Sequence, residues 1–344
     1  MDNHGRKISR RGVLIGGIGL SAVIGGSSLY HQNHVLPPRD IAAEERFRRL
    51  QDGLLAHEGI QFSSRFFDLA APAVRTHVID SGQGTPVLMI HGGNSVAVSW
   101  APLLSRLYRN FHIYAPDRPG CGLTEKFNYL GIPFREHAVA FVRSTMDALG
   151  LKRAALIGNS MGGYFSLAFA LAHPERVSQL VTIGEPAGSA RTTRPSHRLL
   201  GTPGINSALY ATVMKPSSGA TRRSFQGLLV ADINRVSQPY LDCCTAGSLI
   251  PGATESWLTM VENVTRWNGD STLTYKLRSE LPNLTVPTLM IWGDKDTFGP
   301  PSLGAEMVAL MPHGRMEVLA DAGHLAWLDQ LDRSEKLIES FLRS

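Results

Sequence analysis

The ten residues Ala154-Ala155-Leu156-Ile157-Gly158-Asn159-Ser160-Met161-Gly162-Gly163 constrain the fold of this chain more than any others. A short apolar run enters a glycine-flanked serine, and Tyr164-Phe165-Ser166-Leu167-Ala168 continues as a helix. A strand that reverses into a helix within about two residues leaves the serine in a strained backbone, its hydroxyl turned out. Side chains at Gly158 or Gly162 would collide with the neighbouring strand or helix. The helix start brings free N–H groups, and the positive end of its dipole, beside Ser160. The amide of Met161 is thereby placed to hold a developing oxyanion. An ordinary serine in a glycine-rich turn shows the same five-residue pattern, so the surrounding chain has to decide between the two.

The surrounding chain alternates. Thr76–Asp80 reads as a strand, and Pro86-Val87-Leu88-Met89-Ile90 as a strand buried on both faces. A helix is expected near 100–107, a strand at Phe111–Pro116, and a helix over about 135–149. After the elbow comes the buried strand Leu180-Val181-Thr182-Ile183-Gly184, and the alternation then stops for about a hundred residues. That stretch has helical patches at Ser224–Val236 and Thr254–Trp267. Alternation resumes with Pro287–Trp292, a helix near 302–311, the strand Met316–Leu319 and a final helix over about 327–342. The pattern predicts an α/β fold: a mostly parallel, doubly wound sheet with an inserted helical cap. Residues 61–186 and 284–344 would form the core and 187–283 the cap, with 31–60 a linker and short helix.

A serine hydroxyl is a poor nucleophile without a base beside it and a third group to orient that base. Chemistry in open parallel sheets gathers at the carboxyl ends of strands. Two later stretches fall there. Ala322-Gly323-His324 supplies His324 as the general base, and Gly293-Asp294-Lys295-Asp296 supplies Asp296 as the orienting acid. Asp294 and Glu185 are rivals for the acid, and His313, the other late histidine, sits in a loop before a strand. The turn His91-Gly92-Gly93 follows a buried strand, and the amide of Gly93 is the expected second oxyanion donor beside Met161.

With Asp117-Arg118-Pro119-Gly120-Cys121-Gly122, these motifs stand in an order that resembles the α/β-hydrolase-fold superfamily over roughly residues 70–343. The resemblance implies a serine hydrolase that cleaves an ester or related acyl bond through an acyl-enzyme, with no cofactor or metal. Gly-Asn-Ser-Met-Gly-Gly is locally similar to carbon–carbon bond hydrolases of ring-cleavage products, an alternative with the same triad. The Asp-Arg-Pro-Gly-x-Gly stretch looks more like epoxide hydrolases and haloalkane dehalogenases, which carry aspartate where this chain has Ser160, so their chemistry does not transfer. Acyl transfer, cofactor-free peroxidase chemistry and a pocket without turnover are further alternatives. The apolar cap residues Leu228, Leu229, Trp257 and Trp267 would face an apolar or aromatic acyl group or pack onto the core.

Charge narrows the partners. The net charge is +5, and residues 1–50 supply most of it, with eight Lys/Arg against four Asp/Glu. No basic stripe carries interleaved aromatics, which argues against nucleic acid and for a small-molecule acyl substrate. Ser9-Arg10-Arg11-Gly12 precedes an uncharged run to Tyr30 that resembles a twin-arginine export signal or a weak membrane anchor. Residues 1–30 therefore predict export, to the periplasm or beyond, or membrane association. Three cysteines, Cys121, Cys243 and Cys244, make no disulfide framework, and the last two are expected as buried thiols.

Overall fold

The computed structural model describes residues 36–265, 268–270 and 273–344. Residues 1–30 and Trp267 lie outside the described residues. Eight strands make one sheet, in the order β1-β2-β4-β3-β5-β6-β7-β8. They are β1 (Phe62–Ala70), β2 (Ala73–Ser81), β3 (Thr85–Ile90), β4 (Phe111–Pro116), β5 (Ala154–Asn159), β6 (Val177–Ile183), β7 (Thr288–Gly293) and β8 (Gly314–Leu319). Only β2 runs against its neighbours; from β4 to β8 all pairs are parallel. The carboxyl ends of β3, β5, β6, β7 and β8 therefore share one edge.

The near-continuous apolar strands have a simple cause. Successive side chains point to opposite faces, and both faces are covered. Val87, Met89, Ile113, Ala155, Ile157, Val181, Leu289 and Ile291 enter one core, and Leu88, Ile90, Leu156, Leu180, Met290 and Trp292 enter the other. The first core holds α1 (Ile41–His57) and α2 (Ala101–Leu107); the second holds α3 (Phe134–Ala148) and α4 (Met161–Ala172). Helix α4 is apolar on every side because ten of its residues are buried.

Between β6 and β7 the described residues form α5 (Pro195–Leu200), α6 (Ile205–Ala211), α7 (Ser218–Ser224), α8 (Gln238–Ser248), α9 (Ala253–Val264) and α10 (Thr274–Leu277). The one β pairing described here is a bridge between Thr192 and Asp270. The patch expected as a helix over Ser224–Val236 is instead a π-turn at Phe225–Leu229, an extended Val230 and a short 3-10 turn at Ile233–Arg235. The chain closes with α11 (Pro301–Val308), α12 (Ala326–Asp329) and α13 (Leu331–Leu342). The expected single last helix breaks at Gln330, whose φ of −134° is not helical.

Two further elements differ from expectation. Strand β1 was not foreseen: it is an edge strand in which Phe66 and Phe67 are both half-buried, so no period-2 alternation marks it. Residues 41–57 form a helix of 17 residues, longer than the short one expected there. Asp40 caps it by accepting the Ala43 N–H at 2.9 Å, and Phe47, Leu54 and Leu55 lie in the first core. Of the two adjacent cysteines, Cys243 is buried and Cys244 half-buried; all three are free thiols. Among the described residues, no helix is long and apolar enough to cross a membrane.

Phe47 is fully buried. Phe47→Ala is expected to destabilise the protein by about 3–5 kcal/mol, read from urea midpoints. A change under about 1 kcal/mol would mean that α1 is not part of the cooperative core.

Candidate active site

Ser160 sits between β5 and α4 with φ 51° and ψ −114°, a conformation that non-glycine residues rarely adopt. The glycines make room for it. A Cβ on Gly162 would run into the carbonyl oxygens of Ile90 and His91, and one on Gly158 would meet the backbone of Gly162. Met161 is the first residue of α4, a position whose N–H has no partner inside the helix.

The turn after β3 passes over this elbow. A Cβ on Gly92 would lie 2.5 Å from Asn159 Oδ1 and 3.3 Å from Ser160 Cβ. The Gly93 N–H makes no hydrogen bond to the described residues. The ring of Trp257, on α9, comes within 2.7 Å of where a Gly93 Cβ would be. His91 points inward and accepts the Arg118 N–H on Nε2 at 3.0 Å. Burial, with the Arg118 charge, pushes its pKa down to about 3, so the ring is neutral.

Arg118 then holds the turn. It is fully buried, and it donates from Nε to the His91 carbonyl at 3.1 Å and from Nη2 to the Gly92 carbonyl at 2.6 Å. Its neighbour Asp117 accepts the Ala97 N–H at 2.7 Å, the Leu123 N–H at 3.0 Å and His77 Nδ1 at 2.8 Å. The Asp-Arg-Pro-Gly-x-Gly stretch thus braces the turn that carries Gly93, and Gly122 is needed because a Cβ there would overlap the Asp117 carboxylate.

At the ends of β7 and β8, His324 Nδ1 lies 2.9 Å from Asp296 Oδ2 and 3.0 Å from Oδ1. Both residues are buried. The Asp296 carboxylate also accepts the N–H of Phe298 and of Glu185, each at 2.8 Å. Burial alone would raise the Asp296 pKa, but the charge and hydrogen bond of His324, with these two amides, outweigh it and hold the group below the ordinary range. His324 Nε2 is buried and has no hydrogen-bond partner. Its ring lies against Phe298, with centroids 4.2 Å apart.

The rival acids fall elsewhere. Asp294 braces the loop by accepting the Ala322 N–H at 3.1 Å. Glu185 presents its amide to Asp296, while its carboxyl accepts the Ser189 N–H at 2.7 Å. His313 contributes only its carbonyl, to the Thr288 N–H. The structure therefore brings Asp296 and His324 together. The elbow is joined to them through Asn159, which donates from Nδ2 to the Ile183 carbonyl at 2.7 Å and the His324 carbonyl at 3.4 Å. Ser160 and His324 are not hydrogen-bonded as they stand. Such bonds are commonly long without substrate and tighten when it binds. Of the apolar residues expected in a cap, Leu228 is exposed, Leu229 packs on the first core and Trp257 covers Gly93.

The profile of the α/β hydrolase fold family matches residues 85–331. The chain belongs to this family. A 2-hydroxy-6-oxononadienedioate/2-hydroxy-6-oxononatrienedioate hydrolase of a Pseudomonas species is 29% identical over 299 residues, covering 81% of this chain and 96% of the relative. The 2-hydroxymuconate semialdehyde hydrolase of Pseudomonas putida is also 29% identical, covering 80% of this chain and 93% of its own. Among solved structures, the carboxylesterase CesB of Bacillus subtilis has a TM-score of 0.70 at 21% identity, covering 88% of this chain and 99% of that one. The meta-cleavage product hydrolase of Pseudomonas fluorescens has a TM-score of 0.66 at 24% identity, covering 82% and 97%. The family match supports a hydrolase, and the solved structures show the same fold.

Sequence reasoning missed Asp329. Its buried carboxylate accepts the N–H of Gly323 at 2.8 Å, of Ala231 at 2.8 Å and of Asp232 at 3.1 Å. It fastens the loop before His324 to the helical segment, and no local pattern announces such long-range bonds. Glu185 carries a testable signature. Burial pushes its pKa up to about 8, against the Ser189 amide and with the nearby Asp296 charge. The folded protein keeps this proton longer than the unfolded chain does. Its contribution is greatest below the ordinary glutamate range and declines as pH rises from there to about 8. Glu185→Gln is expected to flatten the fall of the thermal midpoint across that window; an unchanged slope contradicts the assignment.

Proposed function

We propose that the protein is a serine hydrolase in which Ser160 attacks a carbonyl carbon, and that the bond it breaks is a carbon–carbon bond beside a ketone in an unsaturated diketone-type acid. The observation that carries the hydrolase reading is the buried His324, tied to Asp296 through Nδ1 and left with an unpartnered Nε2. An imidazole held through Nδ1 with its Nε2 free is placed to act as a base, and the serine elbow supplies the hydroxyl.

In this reading His324 takes the Ser160 proton as Oγ bonds to the carbonyl carbon, and the amides of Gly93 and Met161 hold the oxyanion. Collapse breaks the carbon–carbon bond. The departing electron pair enters the conjugated system and takes the proton from the His324 imidazolium; water, deprotonated by the regenerated imidazole, then attacks the acyl-enzyme, and Ser160 Oγ leaves with that proton as the acyl group departs as a carboxylic acid. Asp296 fixes the tautomer and supports the imidazolium. The helical segment from 187 to 283 acts as the cap, with Trp257 closing the space over Gly93.

Support for this bond type over the ester first expected from sequence comes from the relatives. Two from Pseudomonas and one from Burkholderia cepacia, a 2-hydroxy-6-oxo-6-phenylhexa-2,4-dienoate hydrolase, are each 29% identical, with over nine-tenths of their own lengths covered. The esterase neighbours share the fold at 21% identity, which carries no substrate.

Steady-state turnover of a 2-hydroxy-6-oxo-dienoate is expected to exceed that of a 4-nitrophenyl ester in kcat/KM; the reverse order would return the reading to an esterase. Ser160→Ala is expected to lower kcat on the order of a millionfold with folding intact. Asp296→Asn should lower it on the order of ten-thousandfold. Near-parental activity in the first variant would remove the nucleophile assignment.

A further inference from the structure

Between Pro186 and Ala231 the chain carries six cationic residues, Arg191, Arg194, Arg198, Lys215, Arg222 and Arg223, and no Asp or Glu. Five are exposed and Arg198 is half-buried. None forms an ion pair with a described residue. Elsewhere several arginines are matched: Arg39 with Glu44, Arg65 with Asp80, Arg135 with Glu280, Arg176 with Asp147 and Arg278 with Glu306. Within the stretch, Arg194 and Arg198 donate only to the carbonyls of Thr297 and Thr193. The nearby acid Asp270, bridged to Thr192, is taken by Lys276 at 3.3 Å.

Three of the exposed large apolar side chains lie in the same stretch: Leu199 at 44%, Val213 at 72% and Leu228 at 49%. Part of the stretch is tied to the loop beside the candidate base. Arg194 donates to the Thr297 carbonyl, and the Thr297 hydroxyl donates to the Leu228 carbonyl at 2.9 Å. Arg222 and Arg223 end α7, five to six residues before Leu228, a path of about 8–9 Å at helical rise. Phe298, next to Thr297, touches both His197 and His324, with centroids 5.5 and 4.2 Å apart. Arg194 and Leu228 therefore meet beside the candidate base, with Arg222 and Arg223 a short chain path away, and this stretch forms a rim there.

We propose that this rim docks on a bilayer surface bearing anionic lipid headgroups. The cations complement the headgroups, and Leu199, Val213 and Leu228 enter the boundary with the acyl chains. A nucleic acid would satisfy the charges but would leave those apolar side chains in water. A docked rim turns the mouth of the site toward material dissolved in the membrane. The uncharged sequence run from Gly12 to Tyr30, upstream of α1, would hold the domain near the same surface.

The test compares the full chain with Lys215→Gln/Arg222→Gln/Arg223→Gln, in sedimentation with phosphatidylcholine vesicles with and without phosphatidylglycerol. The readout is the ratio of the two partition constants, in which the N-terminal segment is common to both proteins. That ratio is expected to fall on the order of a hundredfold in the variant, and the difference to shrink at high salt. An equal ratio overturns the proposal, as does parental binding to duplex DNA or heparin with none to vesicles. Val213→Ser is expected to weaken vesicle binding at high salt as well, and no change there would overturn the apolar part. Turnover of a soluble substrate should be the same in all these proteins, so the outcome is separate from the identity of the bond cleaved.

Discussion

The hydrogen bond between His324 and Asp296 is the constraint on which the site depends. It is made in a buried place, where a carboxylate is costly unless it is matched. Two amides and an imidazole match it, at 2.8 to 3.0 Å. The amides come from different loops, Glu185 after β6 and Phe298 after β7. The carboxylate therefore fixes the ring and joins two strand ends. Depressing the Asp296 pKa and orienting His324 are one event seen from two sides.

Other buried polar groups extend the same logic outward. Asn159 ties the elbow strand to the His324 backbone. Asp329 ties the loop before His324 to the helical segment. Arg118 holds the turn that carries Gly93, and Asp117 beside it anchors Ala97, Leu123 and His77. Each is a buried group whose bonding capacity is largely used by backbone atoms, and such networks specify one arrangement of loops. The Nε2 of His324 is one of several buried polar atoms without a partner, and it belongs to the ring that a buried carboxylate holds through Nδ1.

Much of the architecture was legible because the informative residues obey local rules. Glycines near Ser160 are required by close backbone approach, and the strands β3, β5 and β7 announce themselves as apolar runs that are buried on both faces. The elements that escaped are governed at a distance. β1 is a half-exposed edge strand, and its pairing with β2 leaves little trace in its own pattern. The break at Gln330 sits beside Asp329, which bonds residues about a hundred positions earlier. In the candidate site, strand ends and residue types pointed to Ser160, Asp296 and His324, with Asp294 and Glu185 as rivals whose own partners only coordinates reveal. The brace made by Arg118 was present in a quoted motif, yet its partners are carbonyls, which sequence does not distinguish.

The account turns on Ser160, the two amides and His324 acting on one carbonyl. A crystal structure of the protein after reaction with an aryl phosphonate would test this most directly. The account requires phosphorus on Ser160 Oγ, the phosphoryl oxygen within about 3 Å of the Gly93 and Met161 nitrogens, and His324 Nε2 donating a hydrogen bond to the adduct. An adduct on another side chain, or a phosphoryl oxygen turned away from both amides, would contradict it.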